Sequence, residues 1–442
     1  MRHIKYDVYS LIDKKKTGQK LSNDEINWFI QEFTNGSIPD YQMSAMLMAM
    51  FLKGLDTTET ASLTDAMLNS GKKLKFAGKN IIDKHSTGGI GDKTSFILAP
   101  IAVAAGVKVP MIAGRSLGFT GGTIDKIEAI KGFQVNLDLK DFSSKLQKHG
   151  MVLIGQTPEI APADRLIYAL RDVTATIDSI PLITASIMSK KLAEGANGMV
   201  FDIKTGSGAF MREKKQAKNL AKSLIQTASR FNKKAVALIT DMDQPLGQAV
   251  GHTNEIIESI ETLKNQGPQD LTELSLSLAA HMIHLSGKTK NYSAAYEIAK
   301  QKLENGEALE EFRKLIKSQG GDPKIVDNYG LMPLAAERTE VLAPKGGYLA
   351  RFQNSQIGLT LIELGGGRKQ KSDTIDHGVG FIFHKKIGDQ IKKNEPLLTI
   401  YHHQNQRKLA HSLSKKFTQE IIHISSKKIK KNKTILEEIR QG

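Results

Sequence analysis

The sequence predicts an α/β protein. A small, discontinuous all-α domain stands beside a larger α/β domain with a mostly parallel central sheet, and a β-rich subdomain closes the chain. Three observations predict it. Up to Ser70 the apolar residues fall on helical faces behind capping residues. From Lys72 to about Thr240, helical stretches alternate with Val/Ile-rich runs, the pattern of a layered sheet with crossover helices. After Val341, short strand-like runs are separated by Gly, Asp and Lys.

In the first segment, Ser22 and Glu25 form a capping-box pattern ahead of Ile26, Phe29, Ile30 and Phe33, and Asn35-Gly36 stops that helix. A second helix follows Asp40 and ends near Gly54; its Met43, Met46, Met48 and Met50 read as core filling. Asp56 with Glu59 caps a third helix that closes at Ser70-Gly71. Asn80 to Ile82 reads as a strand, as do Val152 to Ile154, Met199 to Phe201 and Ala235 to Thr240. Between them, Pro162 to Gly195 is helical and rich in Ala, Ile and Leu, an insert expected to rejoin the first bundle. Pro245 to about Gln319 is helical again, broken at Gly267-Pro268. Strands are then expected at Gly347 to Phe352, Gly358 to Glu363, Gly378 to Phe383 and Pro396 to Tyr401, with a last basic helix over Leu409 to Ile424. The implied division is 1–70 and 162–195 for the α domain, 71–161 and 196–340 for the α/β domain, and 341–442 for the C-terminal subdomain.

Composition excludes several chemistries. There are no cysteines, so disulfides, thiolate catalysis and zinc–thiolate sites are ruled out, and a reducing cytoplasm is the expected location. Met1 to Lys20 has no apolar core of a secretion signal, and the most apolar run, Phe96 to Gly114, is broken by Pro100, Gly106, Lys108 and Pro110, so no membrane association is expected. The net charge of +16 raises nucleic-acid binding as a rival reading, but aromatics are only 6% and no aromatic platform accompanies the lysines. A solvated basic surface is the plainer account.

Two glycine-rich segments carry the first chemical signal: Lys84 to Asp92 and Gly114 to Thr123, bracketing an apolar run. Glycines that let backbone N–H groups close on an anion, mixed with lysine, histidine and hydroxyls, suit phosphate. Two tight strand–helix connections would also favour glycine. A second cluster is Tyr168-Ala-Leu-Arg171-Asp172 with Ser186-Ile-Met-Ser-Lys190-Lys191. Ser186 and Lys190, four apart, share a helix face and with Arg171 offer donors to a planar, carbonyl-bearing ligand; ordinary helix-surface polarity is the alternative. A third glycine-rich strand exit runs from Asp202 through Lys204 to Phe210.

Together these segments resemble the thymidine and pyrimidine-nucleoside phosphorylase family. The resemblance is carried by KHSTGGIGDKTS at Lys84 to Ser95, GRSLGFTGGTIDKIE at Gly114 to Glu128, the long run opening with IGQTPEIAPADRLIYALRD at Ile154, and DIKTGSGAFM from Asp202. It implies reversible phosphorolysis of uridine, deoxyuridine and thymidine to free base and pentose 1-phosphate, with inorganic phosphate as co-substrate and no organic cofactor. Lys84, Ser86, Ser95 and Thr123 would hold phosphate in the α/β domain. Arg171, Ser186 and Lys190 would bind the pyrimidine in the α domain with Tyr168 alongside, and His85 would lie near sugar and base as a proton donor. His85, Arg171 and Lys190 are thus the expected catalytic residues. A homodimer through the α domain is implied as well.

Gln244-Pro245-Leu246-Gly247 and QGPQDLTEL from Gln266 look like the broader pyrimidine type rather than a thymidine-restricted one. That type resembles potassium-binding members, which would place K⁺ at Gly91, Lys93, Leu246, Ala249 and Glu258, although Lys93 brings an ammonium where a neutral side chain is expected. Other departures are Ala113, Ser116 and Phe119, where family members usually carry Ser, Gly and His. HKKIGDQIKKNEPLLTI is similar to biotinyl or lipoyl carrier sandwiches but lacks a Met-Lys attachment pair, so it reads as structural. An anthranilate-type phosphoribosyltransferase, whose fold is related, is the nearest enzymatic rival; it would need an acidic metal cluster that the sequence does not display.

Overall fold

A computed structural model describes residues 6–116, 118–370 and 372–441; Leu117, within the second glycine-rich segment, lies outside them. Four helices open the chain: α1 (Val8–Lys16), α2 (Asn23–Thr34), α3 (Asp40–Lys53) and α4 (Thr57–Asn69). The Ser22/Glu25 and Asp56/Glu59 capping boxes both form, each satisfying two backbone donors at a helix start. Met43, Met46 and Met50 are buried with Phe29, Ile30 and Phe33 in a core that also takes in Ala163, Ile167, Leu182 and Ala185. The last four belong to α8 (Pro162–Val173) and α9 (Ile180–Ala193), so one apolar core joins two distant stretches of chain. α9 also packs on the α/β layer, through Met188, Leu192 and Ala193.

The α/β layer begins with β1 (Ile82–Ser86), α5 (Ser95–Ala104), β2 (Val109–Ile112), α6 (Thr123–Ile127), α7 (Leu139–His149) and β3 (Met151–Ile154). It resumes after α9 with β4 (Gly198–Thr205), α10 (Lys214–Arg230) and β5 (Lys234–Asp241). β1, β4 and β5 run parallel in that order, and β2 and β3 form a parallel pair connected to β1 by an Ile81–Lys108 bridge. All eight residues of β4 are buried, as expected of a strand covered on both faces. The short β6 (Ala249–Val250) and helices α11 (His252–Leu263), α12 (Gln269–Leu285), α13 (Tyr292–Glu304) and α14 (Glu307–Ser318) follow.

The C-terminal part is β-rich, with β7 (Glu337–Leu342), β8 (Gly347–Phe352), β9 (Gly380–Phe383), β10 (Gln390–Ile391), β11 (Pro396–His402) and β12 (Ile422–Ser425). Two expectations change here. Gly358 to Glu363 lies in helix α15 (Asn354–Glu363), since Ile357 and Leu361 recur at helical spacing and are buried together. The basic helix α16 (Arg407–Lys416) stops earlier than expected, passes through a wide turn at Phe417–Ile421, and gives way to β12. β13 (Ile435–Arg440) then returns to the main sheet and pairs antiparallel with β5. Its ILEEIR pattern, following a lysine-rich run, concealed an edge strand whose charged residues protect the sheet edge.

Candidate active site

β1 sets up the site by simple alternation. Successive side chains of a strand point to opposite faces, so Lys84 and Ser86 go one way and Asp83 and His85 the other. The expectation of a strand ending at Ile82 is therefore corrected: the strand runs through the chemically active residues themselves.

On the first face, Lys84 Nζ donates to Thr94 Oγ1 at 2.8 Å and reaches Ser95 Oγ at 3.5 Å, at the start of α5. Ser86 Oγ donates to Asp92 Oδ2 at 2.5 Å and accepts from the Gly88 amide at 3.1 Å. Lys84, Ser86 and Ser95 are thus brought together around the turn Gly88–Thr94. Thr123 opens α6 at the far end of the second glycine-rich segment. The two segments are tied by Lys126, whose Nζ donates to the Asp92 carbonyl at 2.8 Å and pairs with Glu255 at 2.7 Å.

The electrostatics favour an incoming anion. Burial pushes the Lys84 ammonium down, and Asp92 and Asp202 offset only part of that cost. Burial likewise opposes ionisation of Asp92, yet Lys84, Lys204 and Lys126 hold its carboxyl well below the usual carboxylate range. Lys204, fully buried, pairs with Asp202 at 2.7 Å, and Asp202 also accepts from Thr240 Oγ1 at 2.6 Å. Lys204 and Lys126 are each paired with a carboxylate, so the buried Lys84 ammonium, with only hydroxyl acceptors within hydrogen-bond reach, gains most from an incoming anion.

On the second face, Lys191 Nζ donates to Asp83 Oδ2 at 2.6 Å, to the Ile112 carbonyl at 3.0 Å and to Glu194 at 3.1 Å. This buried cluster fastens α9 to β1 and β2. Burial pushes the Glu194 carboxyl well above its usual range despite Lys191, and Asp83 beside it reinforces that direction. The preceding residue, Lys190, turns the other way: its Nζ donates to Ser186 Oγ at 2.9 Å and pairs with Asp164 of α8. Consecutive lysines therefore serve the domain junction and the candidate base pocket separately.

His85 lies on this face, partly exposed. Burial of the ring pushes its pKa well below 6.5, and Lys191, Lys190 and Lys84 push in the same direction. The imidazole is neutral at pH 7. A neutral ring presents one N–H and one lone pair, so it keeps a proton to donate.

Arg171 is held by its surroundings. It is 1% exposed, and its Nε, Nη1 and Nη2 donate to the carbonyls of Thr176 (3.2 Å), Leu182 (3.1 Å) and Ile177 (2.5 Å). Rather than an open donor, it is a brace for the loop between α8 and α9, with Tyr168 against the guanidinium at 5.7 Å. Two of its five N–H groups remain for a ligand.

The five residues expected to hold K⁺ do converge, but their centre is taken. Lys93 Nζ donates to the carbonyls of Leu246 and Ala249, each at 2.9 Å, and to Glu258 Oε2 at 2.5 Å. An ion in this cage would meet the ammonium head-on, so the residues present do not fit potassium. Among the described residues, no cluster of three His, Asp or Glu suits any other metal ion.

Asp92, Asp164 and Lys126 were missed by sequence reasoning. A strand-alternation argument applied to Asp202 and Lys204 would have paired them; nothing in the sequence signals Asp164, which is 26 positions from its lysine.

Residues 9–71 match the helical bundle domain of a glycosyl transferase family and 78–309 its a/b domain, while 348–421 match the pyrimidine nucleoside phosphorylase C-terminal domain. The pyrimidine-nucleoside phosphorylase of Staphylococcus haemolyticus is 45% identical over 89% of this chain and 92% of its own. The chain belongs to the pyrimidine-nucleoside phosphorylase family. The Geobacillus stearothermophilus family member is 44% identical over 90% of this chain and 93% of its own, and that of Bacillus subtilis 45% over 89% and 92%. Beyond the family, the fold extends to the anthranilate phosphoribosyltransferase of Thermus thermophilus, with a TM-score of 0.58 at 17% identity, over 70% of this chain and 98% of that one. At that identity the likeness concerns fold alone.

Ala113, where the resemblance leads one to expect a serine, closes β2. Its amide is held by the Ile154 carbonyl at 2.9 Å at the end of β2, and its methyl packs on the core. Ala113→Ser is expected to lower the KM for phosphate about tenfold, the worth of one hydrogen bond to a charged ligand, with kcat within about a factor of three. An unchanged phosphate KM would show that the position does not reach the anion.

Proposed function

We propose that this protein catalyses reversible phosphorolysis of pyrimidine nucleosides, with uridine, deoxyuridine and thymidine as substrates. The observation that carries the reading is the alternation on β1. It sets Lys84 and Ser86 on one face and His85 on the other, which with the Ser186–Lys190 pair supports an anion cradle and a base pocket, in a chain 44–45% identical to named pyrimidine-nucleoside phosphorylases.

In this reading phosphate rests on Lys84, Ser86, Ser95 and Thr123 and its oxygen attacks C1′ of the sugar. The C1′–N1 bond breaks, its electron pair leaves with the pyrimidine, and pentose 1-phosphate forms. Lys190 and Ser186 donate to the pyrimidine, where charge grows only as the bond breaks, so they stabilise the transition state more than the bound nucleoside. Neutral His85 offers its N–H to the departing base. Arrival of a phosphate dianion at Lys84 would offset one of the ammonium charges that depress the ring's pKa, which makes protonation of the ring easier in the complex than in the free protein. Arg171 and Tyr168 shape the pocket wall. The division of labour follows the chain: 1–70 with 162–195 for the base, 71–161 with 196–340 for phosphate, and 341–442 for support.

Two accompanying features belong to the same proposal. Tyr9, Tyr41, Leu52 and Leu166, on α1, α3 and α8, are exposed apolar residues of the helical part, which supports a homodimer formed there. No helix among the described residues is long and apolar enough to cross a membrane, and the absence of cysteine suits a reducing cytoplasm.

The deciding experiment follows release of free base from uridine, deoxyuridine and thymidine with and without phosphate. Phosphate-dependent release from all three is expected. Release from thymidine alone would mark a thymidine-restricted enzyme, and no release from any would overturn the proposal. Salt-sensitive retention on DNA without turnover would instead favour the basic surface as a nucleic-acid site.

A further inference from the structure

The cage around Lys93 is complete. An ammonium has three protons, and all three are accepted: by the Leu246 carbonyl, the Ala249 carbonyl and Glu258 Oε2. The side chain is 0% exposed and that of Glu258 9%. Glu258 is held in turn, since its Oε1 accepts from the amides of Gln248 at 2.8 Å and Ala249 at 3.1 Å. Two glycines make the approach possible. A Cβ on Gly91, at φ +76°, would lie 2.5 Å from the Leu246 carbonyl oxygen. One on Gly247, at φ +68°, would lie 2.4 Å from Glu258 Oε2 and 3.1 Å from Lys93 Nζ.

The segment gripped in this way, 244–250, connects the end of β5 to α11. A second ammonium holds its other side: Lys386 Nζ donates to the carbonyls of Pro245 (2.5 Å) and Gly247 and pairs with Asp270 at 2.9 Å. Four of its carbonyls thus point at tethered cations. Lys93 is also flanked by Asp92 and Thr94, which fix Ser86 and Lys84. Whatever cation sits in the cage therefore sets the position of the phosphate turn relative to the 244–250 segment.

We propose that Lys93 is a resident cation: its tethered ammonium replaces a free monovalent ion in this oxygen cage and locks the phosphate turn to the 244–250 segment without any metal. K⁺ and an ammonium group are of similar size and take the same hard oxygen donors, so shortening the side chain converts the cage into a monovalent-cation site. Lys93 is a positioning residue, since its ammonium is fully buried and spends all three protons on acceptors of the protein itself.

The test is thermal unfolding at fixed ionic strength in chloride salts of potassium, sodium and choline, which does not depend on the protein being a phosphorylase. The native protein is expected to show the same Tm in all three. Lys93→Thr, which leaves a buried carboxylate unpaired, is expected to lose about 5 °C or more in choline chloride. It should recover at least half of that, saturably, by roughly 100 mM KCl, because an ion that binds only the folded state raises its stability. Lys93→Met, neutral but filling the space, should lose Tm in every salt with no potassium-specific recovery. Phosphate KM, measured in parallel, should become potassium-dependent in Lys93→Thr alone. A potassium-specific rise in Tm of the native protein as large as that of Lys93→Thr would overturn the proposal, as would a folded Lys93→Thr indifferent to potassium.

Discussion

Lys190→Ala is expected to lower kcat/KM for uridine phosphorolysis by about 10²–10³-fold, the usual cost of removing a donor aimed at charge that develops in a transition state. Two consequences separate this loss from simple damage. Asp164 is 1% exposed and one of its oxygens already lacks a hydrogen-bond partner, so removing the lysine leaves a buried, uncompensated carboxylate and lowers Tm as well. The double variant Lys190→Ala/Asp164→Asn removes that charge and should recover most of the lost Tm without recovering turnover. Steady-state kinetics beside thermal unfolding reads both. A kcat/KM within about threefold of native for Lys190→Ala would dismiss its role at the leaving base.

Arg171→Ala should fail differently, in stability first. Its guanidinium satisfies the carbonyls of Thr176, Ile177 and Leu182 while itself buried. Unsatisfied buried acceptors cost about 1–3 kcal/mol each, so a loss on the order of 3–5 kcal/mol and a Tm lower by about 5 °C or more are expected. Turnover falls with it, because the loop between α8 and α9 positions the start of the helix that carries Ser186 and Lys190. Arg171→Lys should rescue little, since one ammonium cannot reproduce a planar fork that meets three carbonyls at once. A variant with native Tm but abolished turnover would show instead that the guanidinium acts on the ligand rather than on the loop.

Much of this was legible in the residues. The two capping boxes, the buried methionines and the alternation of helices with Val/Ile-rich runs each report a local rule, and the local rule held. The candidate site was half legible. Lys84, Ser86, Ser95, Ser186 and Lys190 stand in contiguous motifs whose spacing survives folding. Asp92 was visible as a residue of the glycine-rich segment but not as a partner of Ser86, because which side chains face one another across a turn depends on its glycine φ values. Where local preference and tertiary pairing disagreed, local preference misled. Ile422–Ser425 continues a helical pattern but is paired with β8, and β13 completes a sheet begun more than 350 positions earlier, at β1.

Fold class, family and the residue types available for holding an anion and a planar base could be read from the residues alone, because these depend on periodicity and on motifs short enough to read directly. What each charged group is paired with emerged only from the folded chain. Lys93 finds its acceptors 153, 156 and 165 positions away, Lys190 finds Asp164, and Arg171 spends two donors on the loop after its helix and one on the first turn of α9. The physical reason is that a buried charge is set by the oxygens that replace its water, and those oxygens come from whichever parts of the chain the core brings alongside.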